Sequence, residues 1–168
     1  MTERPRVTLY TDGAALGNPG PGGYAAILER EGKRKEISGG FRWTTNNRME
    51  LMAAIAGLSE LSQPCRVRLV SDSTYLVRTM QQGLAEKWRA KGWKRGKNGK
   101  AENVDLWQRM LDLCARHEVT FEWVAGHSGH PHNERCDALS YAAARRRDLP
   151  PDQPYEDGTT RGAQSTLL

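Results

Sequence analysis

The sequence predicts an α/β domain in which helices pack on a mixed β-sheet. Three segments with strand character come first, a helical segment follows, and strands and helices then alternate along the chain. The 168 residues, 38% of them hydrophobic, are enough for one domain with a substantial core. No apolar run approaches the roughly 20 residues of a membrane-spanning helix, no apolar leader follows Met1, and the three cysteines are widely spaced. We therefore expect a cytoplasmic protein.

The first part of the chain predicts three strands, over Arg6–Thr11, Tyr24–Glu29 and Lys35–Trp43. The first strand alternates and contains β-branched and aromatic residues, as strands commonly do. Glycine and proline dominate Gly17–Gly23, which predicts a cluster of turns. Glu31-Gly32-Lys33 predicts a hairpin turn between the second and third strands.

The first helix is predicted from the spacing of its apolar residues. Leu51, Ile55 and Leu58 recur at i, i+4 and i+7, so they share one helical face. Asn47 is predicted as the N-cap, with Glu50 three residues further on, as in a capping box.

The rest of the chain predicts further strands and helices, and then a change of composition. In chain order these elements are a strand over Val67–Val70, a helix over Ser73–Gln82, a helix that begins at Asn103, a strand over Thr120–Val124 and a helix over Asn133–Arg147. From Pro150 the chain is rich in Pro, Asp, Gln, Gly, Thr and Ser. This predicts a domain over residues 1–149 and a flexible C-terminal tail over residues 150–168.

The excess positive charge lies in one segment. Residues 84–102 contain seven basic and two acidic residues, which accounts for the whole net charge of +5. The same segment contains Trp88 and Trp93, and a basic run with interleaved tryptophans suits a nucleic-acid backbone. The alternative is a solvated loop with two packed tryptophans, and the composition favours neither.

Four acidic residues occupy positions that a folding argument alone would not choose. Asp12 and Asp72 each end a predicted strand, whereas Glu50 and Asp137 lie near the starts of two predicted helices. If the two strands are parallel neighbours, Asp12 and Asp72 emerge at the same edge of the sheet. Four converging carboxylates would repel one another unless they were protonated or bound a divalent cation, and their oxygen ligands suit Mg²⁺ or Mn²⁺.

Each of these residues also has a structural alternative. Asp12 fits a turn, Glu50 and Asp72 fit helix caps, and Asp137 fits an arginine partner. A zinc site is a further alternative, built from four residues that lie within ten positions of one another: His127, His130, His132 and Cys136. Their spacing matches no paired zinc pattern.

Six motifs, taken together and in order, resemble bacterial type 1 ribonuclease H. They are Tyr10-Thr-Asp-Gly13, Gly17-Asn-Pro-Gly-Pro-Gly-Gly23, Thr44-Thr-Asn-Asn-Arg-Met-Glu-Leu51, Asp72-Ser73, Asn103-Val-Asp-Leu-Trp-Gln-Arg109 and Gly126-His-Ser-Gly-His-Pro-His-Asn-Glu-Arg-Cys-Asp137. The likeness runs from about Val7 to Arg146. It implies a ribonuclease H-like fold, a five-stranded mixed sheet flanked by helices on both faces.

The resemblance also implies an activity. It implies a metal-dependent endonuclease that hydrolyses the RNA strand of RNA–DNA hybrids by two-metal-ion catalysis, giving 5′-phosphate and 3′-hydroxyl ends. Two Mg²⁺ ions are implied, with Mn²⁺ able to substitute. Asp12 would bridge both ions, Glu50 and Asp72 would bind one, and Asp137 would bind the other. His127 is implied as a mobile residue for proton transfer or product release.

Substrate contacts are implied in three places. Residues that read the RNA 2′-hydroxyl map to Asn18, Asn46, Asn47 and Glu50. A DNA-phosphate pocket maps to Thr45 and Asn103. The basic segment corresponds to a handle along the hybrid, with contacts from Trp88, Lys91, Trp93 and Lys94. The family often has an arginine for the DNA phosphate where this chain has Trp43, and Arg42 is the candidate to replace it.

Two other function classes remain as alternatives. A binding module without catalysis predicts that one or more of the carboxylates is missing, and all four are present. A metal-dependent nucleotidyl transferase would share only the clustered carboxylates. The lack of an exposed apolar stripe in the sequence favours a monomer.

Overall fold

A five-stranded mixed sheet forms the centre of the molecule. The computed structural model describes residues 3–95 and 99–158. The strands, in chain order, are β1 (Arg6–Ala15), β2 (Gly20–Arg30), β3 (Lys33–Thr44), β4 (Arg66–Ser71) and β7 (Glu118–Trp123), with a separate two-stranded pair, β5 (Lys94–Arg95) and β6 (Gly99–Lys100). The sheet order is β3-β2-β1-β4-β7. β1, β2 and β3 pair antiparallel, while β4 is parallel to both β1 and β7. The predicted α/β class with a five-stranded mixed sheet is confirmed.

Helices cover both faces of this sheet. They are α1 (Asn46–Ser59), α2 (Thr74–Gln81), α3 (Leu84–Ala90), α4 (Val104–Arg116) and α5 (Pro131–Ala144), with a short helical segment over residues 153–158. Successive side chains of β1 point to opposite faces. Leu9 packs in the cluster that contains α1 and α4, whereas the adjacent Tyr10 packs with Cys136 of α5. In the described ranges, no helix is both long and apolar enough to cross a membrane.

Two glycines allow helices to lie directly against the sheet. A Cβ atom at Gly13 would lie 2.3 Å from the backbone carbon of Met49, and one at Gly23 would lie 2.0 Å from the carbonyl oxygen of Ser140. Real Cβ atoms do not approach backbone so closely, so any larger residue would push α1 or α5 away from the sheet.

The long β1–β2 hairpin differs from the sequence prediction. β1 continues beyond Thr11 to Ala15, because β2 begins at Gly20 rather than Tyr24 and pairs with it as far as Gly22. The start of β2 is rich in glycine and lacks the alternating side chains that mark a strand in a sequence, so this pairing was not predicted. Asp12 therefore lies inside a strand, although it is one residue beyond the last β1–β4 pair.

The predicted cap of the first helix is wrong. Thr45 is the N-cap of α1, and its side chain accepts a hydrogen bond from the backbone N–H of Arg48 at 3.2 Å. Asn47 already lies inside the helix, so the capping box with Glu50 does not form. Ser73, rather than Asp72, caps α2. Both acidic residues are thus free of the capping roles that were their structural alternatives.

The start of the predicted flexible tail is packed on the domain. Asp152 is only 4% exposed and accepts a hydrogen bond from the Thr44 hydroxyl at 2.6 Å. The backbone N–H of Arg42 donates to the carbonyl of Pro150 at 2.9 Å. A buried carboxylate therefore anchors residues 150–158 on the domain, while the flexibility of the tail as a whole stays a prediction. Residues 159–168 lie outside the described residues, and the domain boundary at 149/150 stays a prediction.

Candidate active site

Three carboxylates meet at one edge of the sheet. The parallel β1 and β4 end their pairing at Thr11 and Ser71, so Asp12 and Asp72 follow at the same edge. Gly13 lets α1 approach this edge and brings Glu50 beside them. One oxygen from each of Asp12, Glu50 and Asp72 lies within 4.8 Å of the other two. Three of the four acidic residues singled out in the sequence therefore lie together, and their catalytic and metal-binding roles stay predictions.

Burial and repulsion raise the pKa of each of these carboxyl groups. Burial, with repulsion from Asp72, raises the pKa of Asp12 from 3.8 to about 8. Burial also raises the pKa of Glu50 well above its usual range, with further repulsion from Asp12 and Asp72. The pKa of Asp72 is raised by burial and by the negative charge of Asp137. Three ionised carboxylates are thus unfavourable here without a neutralising proton or cation.

The donor atoms fit a hard divalent cation. All three side chains offer oxygen, which Mg²⁺ and Mn²⁺ prefer over the ligands typical of zinc. The Oε2 atom of Glu50 is buried and has no hydrogen-bond partner among the described residues. A buried carboxylate oxygen without a partner is costly, and a bound cation would satisfy it. The acidic triad could therefore hold a metal ion.

Asp137 lies near these three carboxylates, but it is not among the residues whose oxygens lie within 4.8 Å of one another. It is half-buried in α5, next to Cys136, whose thiol donates to the carbonyl of Tyr10 at 3.4 Å. This contact fixes α5 against β1, two residues before Asp12. The charge of Asp137 contributes to the raised pKa values of both Asp12 and Asp72, after the larger effect of burial. The fourth carboxylate thus acts on the same site electrostatically.

His127 lies on an exposed loop beside Asp72. Its φ of 55° is in the left-handed region, and the Ser128 hydroxyl closes the turn by donating to the carbonyl of Ala125 at 2.6 Å. His127 favours the ionised form of Asp72 and so opposes the rise in its pKa that burial causes. The imidazole is therefore close enough to interact with the carboxylate group and remains exposed to solvent.

Two residues that support Asp72 were missed in the sequence. A Cβ atom at Gly126 would lie 2.7 Å from Oδ2 of Asp72, so the loop passes directly over this carboxylate. The indole N–H of Trp123 donates to the Asp72 carbonyl at 3.1 Å. Gly126 stands in a motif that was singled out for its histidine, whereas nothing in the sequence marked Trp123.

The alternative zinc site is not supported by the structure. His130 caps α5 through Nδ1, and Nε2 of His132 lies 2.9 Å from Glu29. Cys136 is buried and bonded to Tyr10. Within residues 3–95 and 99–158, these side chains form no metal-binding group with one another.

The substrate contacts predicted near α1 lie around the N-terminal end of this helix. Oδ1 of Asn18 accepts a hydrogen bond from the backbone N–H of Asn46 at 3.0 Å and so joins the glycine-rich segment to α1. Thr45, Asn47 and Asn103 line a single cleft of about 500 Å³. The structure therefore brings together the residues predicted to bind the hybrid on this side.

The basic segment divides into packed tryptophans and exposed lysines. Trp88 is half-buried, with its ring centroid 6.2 Å from that of Trp107, and Trp93 also packs against the core. Lys91 and Lys94 are exposed. Residues 96–98, which include Lys97, lie outside the described residues. The two tryptophans are therefore partly packed, as the structural alternative for this segment expected, while the two lysines face solvent.

Arg48 is a further residue that sequence analysis did not single out. Its guanidinium is buried and donates to Asp152 at 2.7 Å and 3.0 Å, and to Asp105 at 2.7 Å and 2.9 Å. It also donates to Oδ1 of Asn103 at 3.3 Å. Burial opposes its charge, but the two carboxylates outweigh that effect and raise its pKa. This cluster joins α1, α4 and residues 150–158, and Arg48 and Asp105 form part of the cleft wall.

Known proteins with similar sequences and structures point to one family. The family model described as RNase H matches residues 4–145. Over 157 residues the chain is 55% identical to Ribonuclease H of Trichodesmium erythraeum, covering 93% of this chain and 100% of that protein.

Two solved structures resemble the fold. One is the crystal structure of LC9-RNase H1, described as a type 1 RNase H with the type 2 active-site motif. The match has a TM-score of 0.74 at 34% identity and covers 86% of this chain and 74% of that one. The other is LC11-RNase H1 in complex with an RNA/DNA hybrid, with a TM-score of 0.63 at 26% identity, covering 82% and 96%. The chain therefore has the ribonuclease H fold and belongs to the ribonuclease H family, as a hydrolase of that family.

Proposed function

We propose that this enzyme is an endonuclease that hydrolyses the RNA strand of RNA–DNA hybrids by two-metal-ion catalysis, leaving 5′-phosphate and 3′-hydroxyl ends. The observation that carries this proposal is the convergence of Asp12, Glu50 and Asp72 within 4.8 Å, at a sheet edge where all three pKa values are raised. The hybrid bound in the similar structure of LC11-RNase H1 supports the substrate class.

The proposed cofactor is Mg²⁺, with Mn²⁺ able to substitute. Asp12, Glu50 and Asp72 would hold it, and Asp137 would hold a second ion together with Asp12. When bound, such ions supply an activated water and a stabilised leaving oxygen for phosphodiester hydrolysis. The oxygen-only donor set and the unpartnered Oε2 of Glu50 support this assignment.

The protein residues orient the site and handle protons. Trp123 holds the main chain of Asp72 through its indole hydrogen bond, and Gly126 leaves room for the Asp72 carboxylate. His127 is proposed to transfer a proton or to assist product release, because its exposed imidazole lies beside this carboxylate and imidazole commonly serves as a general acid or base.

The substrate contacts are proposed on two sides of the carboxylates. Asn18, Asn46 and Asn47, with Glu50, would read the 2′-hydroxyl, which is the group that distinguishes RNA from DNA. Thr45 and Asn103 would contact a DNA phosphate within their shared cleft. Trp88, Lys91, Trp93 and Lys94 would contact the hybrid from the basic segment. We further propose that the enzyme acts as a monomer in the cytoplasm.

Cleavage of a uniform RNA–DNA hybrid tests this function. Single-stranded RNA, duplex RNA and duplex DNA serve as control substrates, each with Mg²⁺, with EDTA and with the Asp12→Asn variant. The proposal expects cutting of only the RNA strand of the hybrid, abolished by EDTA and by the substitution. Tight hybrid binding without cutting would instead indicate a binding module, and cutting of duplex DNA would contradict the substrate assignment.

A further inference from the structure

The C-terminal segment, residues 150–158, forms part of the cleft in which three predicted substrate contacts lie. Pro154, Tyr155 and Gly158 line this cleft of about 500 Å³ together with Thr45 and Asn103. A nucleic-acid strand that contacts Thr45 and Asn103 therefore also approaches this segment. The charge of residues 150–158 therefore affects how tightly the strand binds.

The segment is acidic, although it borders the binding surface for a polyanion. It contains Asp152, Glu156 and Asp157 and no basic residue. The buried Asp152 has a structural role, because it accepts hydrogen bonds from Arg48 and Thr44. Asp157 accepts from the side chain of Gln153, four residues earlier in the same segment, at 2.6 Å. Glu156 instead reaches across to the domain.

Glu156 holds the guanidinium of Arg42 in a forked arrangement. Nε of Arg42 donates to both carboxylate oxygens, at 3.2 Å and 3.1 Å, and Nη2 donates to Oε1 at 2.9 Å. Arg42 precedes Trp43 and Thr44 at the end of β3, next to the Thr45 cap, and its side chain is 60% exposed. The same forked geometry of a guanidinium binds phosphate as well as carboxylate.

Replacing the Glu156 carboxylate by a phosphate as the partner of Arg42 costs little free energy. The side chain of Arg42 is 60% exposed and that of Glu156 is 21% exposed, so the pair borders solvent. An ion pair at the surface stabilises a protein only weakly, so a phosphate that meets Arg42 loses little by displacing the carboxylate. The segment does not have to detach during this exchange, because the buried Asp152 and the backbone contact between Arg42 and Pro150 keep it in place. The exchange requires movement of the Arg42 and Glu156 side chains.

We propose that Glu156 is an internal competitor for Arg42, which binds a backbone phosphate of the nucleic acid when Glu156 releases it. The C-terminal segment thereby lowers the affinity for hybrid. This inference rests on the proposed function, since it assumes that a hybrid occupies the cleft beside the carboxylates.

The test measures the Kd of a fluorescently labelled RNA–DNA hybrid by anisotropy, in EDTA, over a series of salt concentrations. For Glu156→Gln we expect binding about three- to tenfold tighter at low salt, and a plot of log Kd against log salt that is steeper by about one. Asp157→Asn is the matched control: it removes the same charge one residue further on and is expected to leave the slope unchanged. In an Arg42→Gln background, Glu156→Gln is expected to have no effect on the slope.

Several outcomes would overturn the inference. One is an unchanged Kd for Glu156→Gln at an unchanged melting temperature. Another is an equal effect of Asp157→Asn, and a third is persistence of the Glu156→Gln effect without Arg42. In each of these cases, cleavage of the hybrid by the wild type still supports the proposed function. A wild type that binds no hybrid at all would overturn both.

Discussion

Replacing Asp12 by asparagine is expected to stabilise the metal-free protein at neutral pH, although the same substitution is expected to abolish activity. The wild-type site brings Asp12, Glu50 and Asp72 together with raised pKa values, so ionising them in the folded state is unfavourable. Asparagine has nearly the shape of aspartate and no charge. The substitution therefore removes the cost of burying an ionisable carboxyl beside two others, and it creates no cavity.

The magnitude follows from the pKa of Asp12, which folding raises from 3.8 to about 8. Between these values the folded state binds the proton more tightly than the unfolded chain, so stability falls as the pH rises through this window. At pH 7 roughly three pH units of this window have been crossed, and each unit is worth about 1.4 kcal/mol, or roughly 4 kcal/mol in total. Because Glu50 and Asp72 remain, we expect Asp12→Asn to recover about 2 to 4 kcal/mol of this penalty.

Urea unfolding in EDTA measures this effect at pH 5 and pH 7. The advantage of Asp12→Asn is expected to shrink at pH 5, because only about one pH unit of the window above 3.8 has then been crossed. It is expected to shrink also when Mg²⁺ is added to the wild type. Asp112→Asn is the control, because Asp112 is exposed and its substitution is expected to change stability by under about 0.5 kcal/mol. A destabilised Asp12→Asn variant, or an advantage independent of pH, would refute the electrostatic reasoning.

Three further predictions concern binding, geometry and stability. Neutralising Lys91 and Lys94 is expected to raise KM with little change in kcat and to flatten its salt dependence, in steady-state assays at several salt concentrations. Gly126→Ala is expected to displace the Asp72 carboxylate and lower kcat by roughly ten- to a hundredfold, with a nearly unchanged melting temperature. Arg48→Met is expected to cost about 3 to 5 kcal/mol in urea unfolding, because two carboxylates lose their cation.

Each of these predictions has a result that would contradict it. A fall in kcat as large as the rise in KM would show that Lys91 and Lys94 do more than bind the substrate and the transition state equally well. Full activity of Gly126→Ala would mean that the Asp72 carboxylate tolerates the added methyl group. For Arg48→Met, Arg42→Met is the matched control on the exposed pair with Glu156, and an equally small loss from both substitutions would contradict a buried role for Arg48.

The local pattern of residues was sufficient to predict the order of the main elements and the sheet edge at which the site lies. Apolar spacing located α1 and α4, and the buried run Val67–Val70 located β4. Cap and strand boundaries were less predictable. Thr45 and Asn47 are both acceptable caps, and only the path of the chain out of β3 selects Thr45.

The contacts of Arg48 and Asp152 show why part of the molecule could not be predicted. The two residues are 104 positions apart, and their bond closes the C-terminal segment over the end of α1. The composition of residues 150–158 resembles that of a flexible segment. One buried carboxylate with two hydrogen-bonding partners is enough to hold it on the domain, and local composition carries no information about such a distant partner.

The sequence by itself determined the α/β class, the identity of the four acidic residues and, through six ordered motifs, the expected family. These depend on residue types and short spacings that are visible along the chain. The tertiary structure alone decided that Asp12, Glu50 and Asp72 meet within 4.8 Å with raised pKa values, that Gly13 and Gly126 allow this approach, and that residues 150–158 border the cleft. The physical reason is that repulsion, burial and steric contact all depend on distances through space, which are set only when β1, β4 and α1 pack together.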